Sequence, residues 1–315
     1  MSPEKLLRKA AFGMTGILSQ VSPVLCSRFA YFCARKKCLH LKTPRDLNEK
    51  FMWLKLNIYN LHPLVKQCAD KYAMREYVKE QGCGELLNTL CGVWDDADEI
   101  DFDLLPERFV LKCNHGSGYN IICKDKSSFD AEAARRQLKL WMKEDFWKRS
   151  AELNYRGIEK KIICETYIEG EDSNLPGDYK VMCFYGEPQY ILYCDGRGEK
   201  TRYLNYDTEW KLLPINLSEN PADIPKPAAL EQMLEYSRKL SRCFPAVRMD
   251  FYDDHGMPIL GEMTFTPAGC VGIAMTKEGL ERYGAALDLN TELTKQMLEE
   301  VRRSRQEGKR NVRKK

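Results

Sequence analysis

The chain has 315 residues, of which 43% are hydrophobic and 30% charged, and its formal net charge is +3. That length and composition suit a soluble globular protein with one large or two medium domains, and the near balance of charge argues against a nucleic-acid partner. Thirteen cysteines are an odd number, with irregular spacing and no Cys-x-x-Cys pair. That excludes a zinc ribbon or a disulfide scaffold and points to a reducing, cytoplasmic setting.

Taken in chain order, residues 4–20 and 24–39 read as helices. Residues 10–33 are fairly apolar, but Pro23, Arg28 and several Gly and Ser residues interrupt them. No window is long and apolar enough to cross a bilayer. Simple packing on the body competes with a peripheral contact at the inner face of a membrane. Thr43-Pro44-Arg45-Asp46 is a turn that starts a helix through Trp53 and Leu56, broken at His62-Pro63. A short helix is expected from Asp70 to Glu80, closed by Gly82 and Gly84. Residues 86–94 are a strand or loop, and 95–106 an acidic connection.

Phe109 to Lys124 is the most informative segment. It is an apolar strand ending on Lys112, a turn with Gly116 and Gly118, and a second apolar strand. Lysines near a glycine turn suit a polyphosphate, because glycines let backbone N–H groups approach phosphate oxygens. No helix start follows the glycines, so the segment is neither a Walker A loop nor a dinucleotide fingerprint.

A helix with an aromatic face is expected over 130–148. Strands follow at 161–168, 179–185, 188–194 and 201–206, then a Pro-rich loop at 213–227 and a helix at 228–242. A strand pair at 246–253 and 257–264 precedes helices from 277 to about 306. The late strands are adjacent and hairpin-like, which predicts an α+β architecture with a largely antiparallel sheet. In the last hairpin Asp250 and Glu262 are each embedded in apolar residues, and antiparallel pairing could set them side by side. Two such carboxylates repel unless a cation lies between them, and Mg²⁺ is suited by one or two carboxylates plus phosphate. Asp178 and Lys180 alternate on one face of an earlier strand.

In this order the blocks resemble the TupA-like branch of the ATP-grasp superfamily, a group of bacterial polysaccharide biosynthesis proteins often labelled glycosyltransferases. The resemblance spans about residues 40 to 290. It rests on Leu47-Asn48-Glu49-Lys50, Asp70-Lys71-Tyr72-Ala73, Arg75-Glu76-Tyr77, Leu105-Pro106 with Arg108 to Gly118, and Asp178-Tyr179-Lys180.

The resemblance implies an ATP-grasp fold, two α+β subdomains clasping ATP, with a helical N-terminal region. The implied divisions are a helical region over 1–85, a lid subdomain over 86–165, a C-terminal subdomain with a metal site over 166–290, and a C-terminal helix and basic tail over 291–315. Lys71 or Arg75, with Lys112, would contact the α- or β-phosphate, and the turn bearing His115, Gly116, Ser117 and Gly118 would close over the phosphates. Glu165, Thr166, Tyr167 and Ile168 would form the hinge that reads adenine. Asp178 would meet the ribose, and Lys180 the γ-phosphate or an acyl phosphate. Asp250 and Glu262 would hold Mg²⁺, and Arg248 would stabilise the oxyanions. One departure stands out: such enzymes carry Glu-x-Asn on the second metal strand, whereas this chain has Glu262-Met263-Thr264. Thr264, or Thr266 in its place, would be a weaker ligand than an amide oxygen.

The activity implied is an ADP-forming carboxylate–amine ligase acting through an acyl phosphate. The carboxylate would belong to a uronic acid of a cell-surface polysaccharide or its precursor, and the amine to an amino acid. The alternative is a glycosyltransferase of capsule or exopolysaccharide synthesis, for which Asp101-Phe102-Asp103 has the form of a metal-binding motif.

Overall fold

The computed structural model describes residues 13–170, 176–196, 201–217 and 223–313. Residues 13–21 form helix α1, and α2 follows at Pro23–Arg35. Ser22 caps α2 by accepting the Leu25 N–H, Pro23 occupies its first turn, and Lys36 ends it in a left-handed conformation. Helix α3, Leu47–Leu54, is capped by Asp46 and runs on into a π-helical turn at Lys55–Tyr59. Helices α4 (Pro63–Ala69) and α5 (Met74–Glu80) complete the N-terminal region.

Strands β1 (Leu90–Trp94), β2 (Phe109–Cys113), β3 (Asn120–Cys123) and β4 (Ile162–Thr166) make a first sheet in the order β1-β4-β2-β3. Helix α6, Ala131–Lys143, packs on it. A second sheet has the order β7-β6-β5-β8-β9. Its strands are β5 (Asp178–Phe184), β6 (Glu187–Asp195), β7 (Arg202–Tyr206), β8 (Ala246–Asp254) and β9 (Met257–Thr264). Helix α7 (Leu230–Ser241) lies before β8, and α8 (Lys277–Ala286) and α9 (Glu292–Arg313) close the chain. All pairings within both sheets are antiparallel. This is the α+β class expected from the strand pattern.

Strand alternation sorts core from site. In β2, Phe109, Leu111 and Cys113 enter a small core with Leu138 and Phe146, so Val110 and Lys112 take the other face. In β4, Ile162 and Cys164 enter that core, and Ile163 and Glu165 do not. In β8, Val247, Met249 and Phe251 enter the large core, leaving Arg248 and Asp250 on the opposite face. The large core also ties the N-terminal region to β8. The Tyr59 hydroxyl donates to the Ala246 carbonyl at 2.6 Å and accepts its N–H at 3.0 Å.

Several expected boundaries shift. Pro63 opens a helix instead of only ending one, because its missing N–H costs nothing in a first turn. Asp70 ends that helix, and residues 70–73 are a turn held by Asp70 accepting the N–H groups of Tyr72 and Ala73, so the next helix starts at Met74. Helix α2 stops at Arg35, α6 at Lys143, and β4 at Thr166. The single helical run expected from 277 is two helices. Of the helix expected over 4–20, residues 4–12 lie outside the described residues. No helix among the described residues is long and apolar enough to cross a membrane.

Helices α3 and α8 meet backbone to helix at Gly284. A Cβ there would lie 2.7 Å from the Leu47 nitrogen and 2.8 Å from Asp46 backbone atoms. Gly284→Ala is therefore expected to destabilise the protein by about 1–3 kcal/mol in a urea melt, since backbone cannot step aside as a side chain can. An unchanged urea midpoint would contradict this packing.

Candidate active site

Three strands carry one row of charges. The register sets Lys180 of β5 opposite Asp250 of β8, and Asp250 opposite Glu262 of β9. The adjacent row sets Arg248 opposite Thr264. Lys180 Nζ lies 2.8 Å from Asp250 Oδ2 and 3.2 Å from Asp178 Oδ2. Arg248 holds Asp250 with two hydrogen bonds of 2.6 Å, from Nε to Oδ1 and from Nη2 to Oδ2. Lys71, from the turn after α4, reaches across to Glu262 Oε2 at 3.0 Å. The face thus carries three cations, Lys71, Lys180 and Arg248, and three carboxylates, Asp178, Asp250 and Glu262.

That matching sets the protonation states. Burial disfavours the Glu262 carboxylate, but Lys71, Lys180 and Arg248 more than offset it and hold its pKa well below the usual carboxylate range. Burial likewise disfavours the charged forms of Lys180 and Arg248, and the neighbouring carboxylates, Asp250 foremost, raise both pKa values.

The first sheet contributes a second charged group. Glu165 accepts from Lys112 Nζ and, at 3.2 Å, from Arg75 Nη1. Burial pulls the Lys112 ammonium down, and Glu165 beside it reverses the shift, so its pKa lies above the ordinary lysine value. Burial lowers the Arg75 guanidinium pKa against the pull of Glu165. Arg75 Nη2 donates to the Asn88 carbonyl at 2.8 Å. The geometry therefore separates Lys71 from Arg75: Lys71 joins the charged row, and Arg75 braces Glu165.

The glycine turn is anchored from both sides. Lys71 Nζ donates to the Gly116 carbonyl at 2.6 Å, and its backbone N–H to the Asn114 carbonyl at 3.3 Å. Asn114 Nδ2 donates to Asp70 Oδ1 at 2.8 Å. Gly116 has no room for a side chain, since a Cβ would lie 2.7 Å from Phe146, and Gly118 has a φ of +80°. Ser117 is exposed at the tip. The His115 side chain is turned the other way. It is buried, its Nε2 is 3.1 Å from the Trp141 carbonyl, and it packs against Tyr119. Burial pushes its pKa down to about 4, and its Nδ1 has no hydrogen-bond partner among the described residues. The His115 side chain thus packs between α6 and Tyr119, and only the backbone of this residue belongs to the turn.

Two clefts flank the charges. A narrow one of about 410 Å³ is lined by Val110, Lys112, Ile122, Thr166, Tyr167 and Ile168. Asn88, Pro176 and Tyr252 also line it and were not foreseen. Asn88 lies just before a strand, and its amide donates to the Thr166 carbonyl at 2.8 Å. Glu165 itself lies inside β4, so the segment leading out of that strand begins at Thr166. A wide groove of about 1660 Å³ starts at Arg248, Glu262 and Thr264 and extends past Glu152, Tyr155 and Phe146 to Phe29 and Ala30 of α2. Glu152 also escaped the sequence reading. It is buried and accepts from Thr266 at 2.6 Å and from Ser150 at 2.5 Å, so Thr266 faces the groove and not the charged row. The partners that mark Glu152 and Asn88, Thr266 and Thr166, are distant in sequence.

The donor set suits a hard cation. Asp250, Glu262 and Thr264 offer oxygen only, as Mg²⁺ prefers. The Thr264 hydroxyl donates to Glu262 Oε1 and accepts from Arg248 Nη2, each at 3.2 Å. Asp101, by contrast, caps a short turn by accepting the Asp103 N–H at 3.0 Å, and both acids are exposed. That pair has no part in either cleft.

The family model described as TupA-like ATPgrasp matches residues 49–287. No curated protein matches the chain. Among solved structures, D-alanine–D-alanine ligase from Bacillus anthracis, in complex with ATP, is similar at 17% identity over 78% of this chain and 70% of that one, with a TM-score of 0.42. N5-carboxyaminoimidazole synthase from Aspergillus clavatus, with ADP and 5-aminoimidazole ribonucleotide, is similar at 12% identity over 64% of this chain and 45% of that one, with a TM-score of 0.40.

Two outcomes follow from the charges. His115 has a folded pKa of about 4 against 6.5 unfolded, so its neutral form stabilises the fold above pH 6.5 and that stability is lost as pH falls toward 4. The loss amounts to roughly 3 kcal/mol at most. His115→Phe should flatten stability between pH 6.5 and 4, and an unaltered pH profile in denaturant melts would refute the assignment. Separately, Glu165→Ala leaves Lys112 and Arg75 without their shared carboxylate. It should cost about 3–5 kcal/mol, against less than 1 kcal/mol for exposed Glu299→Ala.

Proposed function

The chain belongs to the TupA-like ATP-grasp family, and from that membership we propose that it is an ADP-forming carboxylate–amine ligase. The observation that carries the reading is the single row Lys180–Asp250–Glu262, with Arg248 and Lys71 beside it, while Lys112 lines a narrow cleft that also takes in Tyr252, two residues beyond Asp250 on β8. Cations flanking paired carboxylates suit phosphoryl transfer, in which catalysis is mostly positioning and charge neutralisation.

A substrate carboxylate oxygen attacks the γ-phosphorus of ATP, the bond to the bridging oxygen breaks, and ADP leaves behind an acyl phosphate. An amine nitrogen then attacks the acyl carbon, phosphate departs, the nitrogen loses a proton, and an amide remains. The described side chains divide this work. Lys112 and Lys71 hold the α- and β-phosphates, and the turn from His115 to Gly118 covers them through its backbone. The backbone of Thr166, Tyr167 and Ile168 reads the adenine edge, and Asp178 takes the ribose. Lys180 orients the transferred phosphoryl group, and Arg248 steadies the oxyanion of each step. Asp250 and Glu262 would hold Mg²⁺, which neutralises phosphate charge when bound. Thr264 supplies a neutral hydroxyl already committed to two partners, which favours one firmly held ion over two.

The divisions that accompany this reading are an N-terminal region over 1–85, a lid over 86–165, a C-terminal subdomain over 166–290 and a terminal helix beyond. The wide groove beside Arg248 takes the carboxylate acceptor and the amine donor. We assign the acceptor to a uronic acid of a cell-surface polysaccharide or its precursor and the donor to an amino acid, with the protein cytoplasmic at the inner face of the membrane. Glu152 and the hydroxyls of Ser150 and Thr266 offer hydrogen bonds to a glycan, and Phe146 and Tyr155 offer ring faces.

Thermal melting tests the nucleotide. ATP with Mg²⁺ at saturating concentration should raise the melting temperature by several degrees, and UDP-sugars should not. Lys112→Ala should weaken ATP binding about tenfold or more. Incubation with ATP, uronic-acid glycans and pooled amino acids should release ADP over many turnovers only when both co-substrates are present, and Arg248→Ala should lower that rate at least a hundredfold. Stabilisation by a UDP-sugar alone, with none by ATP, would replace this reading with a glycosyltransferase.

A further inference from the structure

Half of the large hydrophobic side chains exposed among the described residues fall within nineteen positions of the chain. They are Met14, Ile17 and Val21 of α1, and Val24, Leu25 and Phe32 of α2. Val21 is 73% exposed, Ile17 64% and Phe32 54%. On α1 they recur at Met14, Ile17 and Val21, while Thr15 and Ser19 are buried on the opposite side. On α2 the stripe runs Leu25, Arg28, Phe32, and the buried face carries Cys26, Ser27 and Tyr31. Water-exposed apolar residues at helical spacing on two consecutive helices are a surface that lacks a partner among the described residues.

The charge around the stripe selects the partner. Residues 13–45 contain Arg28, Arg35, Lys36, Lys37, Lys42 and Arg45 and not one acidic residue. Arg28, Lys36 and Lys37 are exposed, and Arg28 lies within the stripe itself. An apolar stripe with basic residues interleaved and at one end matches the interface of an anionic bilayer, where apolar groups enter the acyl boundary and cations meet headgroup phosphates.

The position of the hairpin adds a third reason. Phe29, Ala30 and Cys33 of α2, with Thr15 of α1, form the outer wall of the wide groove that leads to Arg248 and Glu262. Arg28 and Phe32 of the stripe are next to Phe29 and Cys33 in the chain, so groove wall and stripe share an edge of one helix. A bilayer seated on the stripe would stand at the groove mouth. Both helices precede residue 49, where the family match begins.

We propose that the α1–α2 hairpin is an interfacial membrane anchor that docks the protein on anionic lipid and sets the groove mouth at the bilayer surface. This rests on the membrane-face placement proposed above and not on the ligase chemistry.

Co-sedimentation of the full chain with phosphatidylcholine vesicles, with and without phosphatidylglycerol, tests it. Binding to phosphatidylglycerol vesicles should be at least about tenfold tighter than to phosphatidylcholine alone and should weaken in high salt. Ile17→Glu with Phe32→Glu should reduce binding by about tenfold or more, and so should Arg28→Glu with Lys36→Glu and Lys37→Glu. All five positions are exposed, so melting temperatures should match the wild type. No binding of the wild type to anionic vesicles overturns the proposal, as does binding by both variants that is as tight as the wild type's. A dimer in sedimentation velocity that Ile17→Glu with Phe32→Glu abolishes, without vesicle binding, overturns it in favour of a second copy on this face. The ATP-dependent thermal shift is read in parallel without vesicles, so loss of either result leaves the other standing.

Discussion

Removing charge from water is the constraint around which this fold is arranged. A lone buried carboxylate or ammonium is costly enough that it would change protonation state instead of staying charged. Here five charged groups share one face of the five-stranded sheet and Lys71 joins them from outside it, and each cation has a carboxylate within 3.2 Å. The matching is three against three, and it is reached through a cross-strand row that only one register of β5, β8 and β9 can make. A slip of one residue in β8 would send Arg248 and Asp250 into the large core and Met249 into the cleft. The register is thus fixed twice, by apolar residues on one face and by ion pairs on the other.

The same constraint connects the two sheets. Lys71 is not on either of them. It sits in the turn after α4, yet it binds Glu262 of the large sheet and the Gly116 carbonyl of the small sheet's glycine turn. Asp70, one residue earlier, holds Asn114 of the same turn. Residues 70–73 are therefore a clasp, and their non-helical backbone follows from that role. Asp70 Oδ1 accepts from the N–H groups of Tyr72 and Ala73 and from the Asn114 amide, so the chain cannot simply continue the helix. Burial raises the Asp70 pKa even against these hydrogen bonds, a sign of how enclosed the clasp is.

What could be read from the sequence was local or periodic. The alternation in β8 and β9 put Asp250 and Glu262 on one face, and the turn between the strands allowed them to pair, which the register does. The fold class followed from hairpin-like strand spacing. Family resemblance supplied roles, and those roles remain proposals. What stayed hidden depends on long-range contacts. Glu152 is an unremarkable acid until Thr266, 114 residues away, bonds to it. Arg75 and Lys71 look interchangeable in the sequence, and only the position of Glu165 parts them. The His115 side chain faces inward because α6 brings the Trp141 carbonyl beneath it, and nothing in the residues around His115 announces that.

The charge balance has a consequence for how ligands can enter. As the side chains stand, every cation of the row is engaged by a carboxylate. A polyphosphate arriving alone would draw Lys71 and Lys180 toward itself and leave Glu262 and Asp250 short of positive charge. A divalent cation arriving alone would draw the carboxylates and leave Lys71 and Lys180 facing each other and Arg248. Each event alone leaves like charges unmatched in a partly buried place, where Coulomb energies are several times those in water. Together they exchange partners: lysines turn to phosphate, and carboxylates to metal. Under the proposed reading, nucleotide and metal affinities are therefore coupled through Glu262 and Asp250, each ligand strengthening the other equally, as linkage requires. Thr264 bears on the size of that coupling. Its hydroxyl is neutral, so it adds no charge that a second cation would balance, and under the proposed reading the exchange would close with one divalent ion against the two carboxylates.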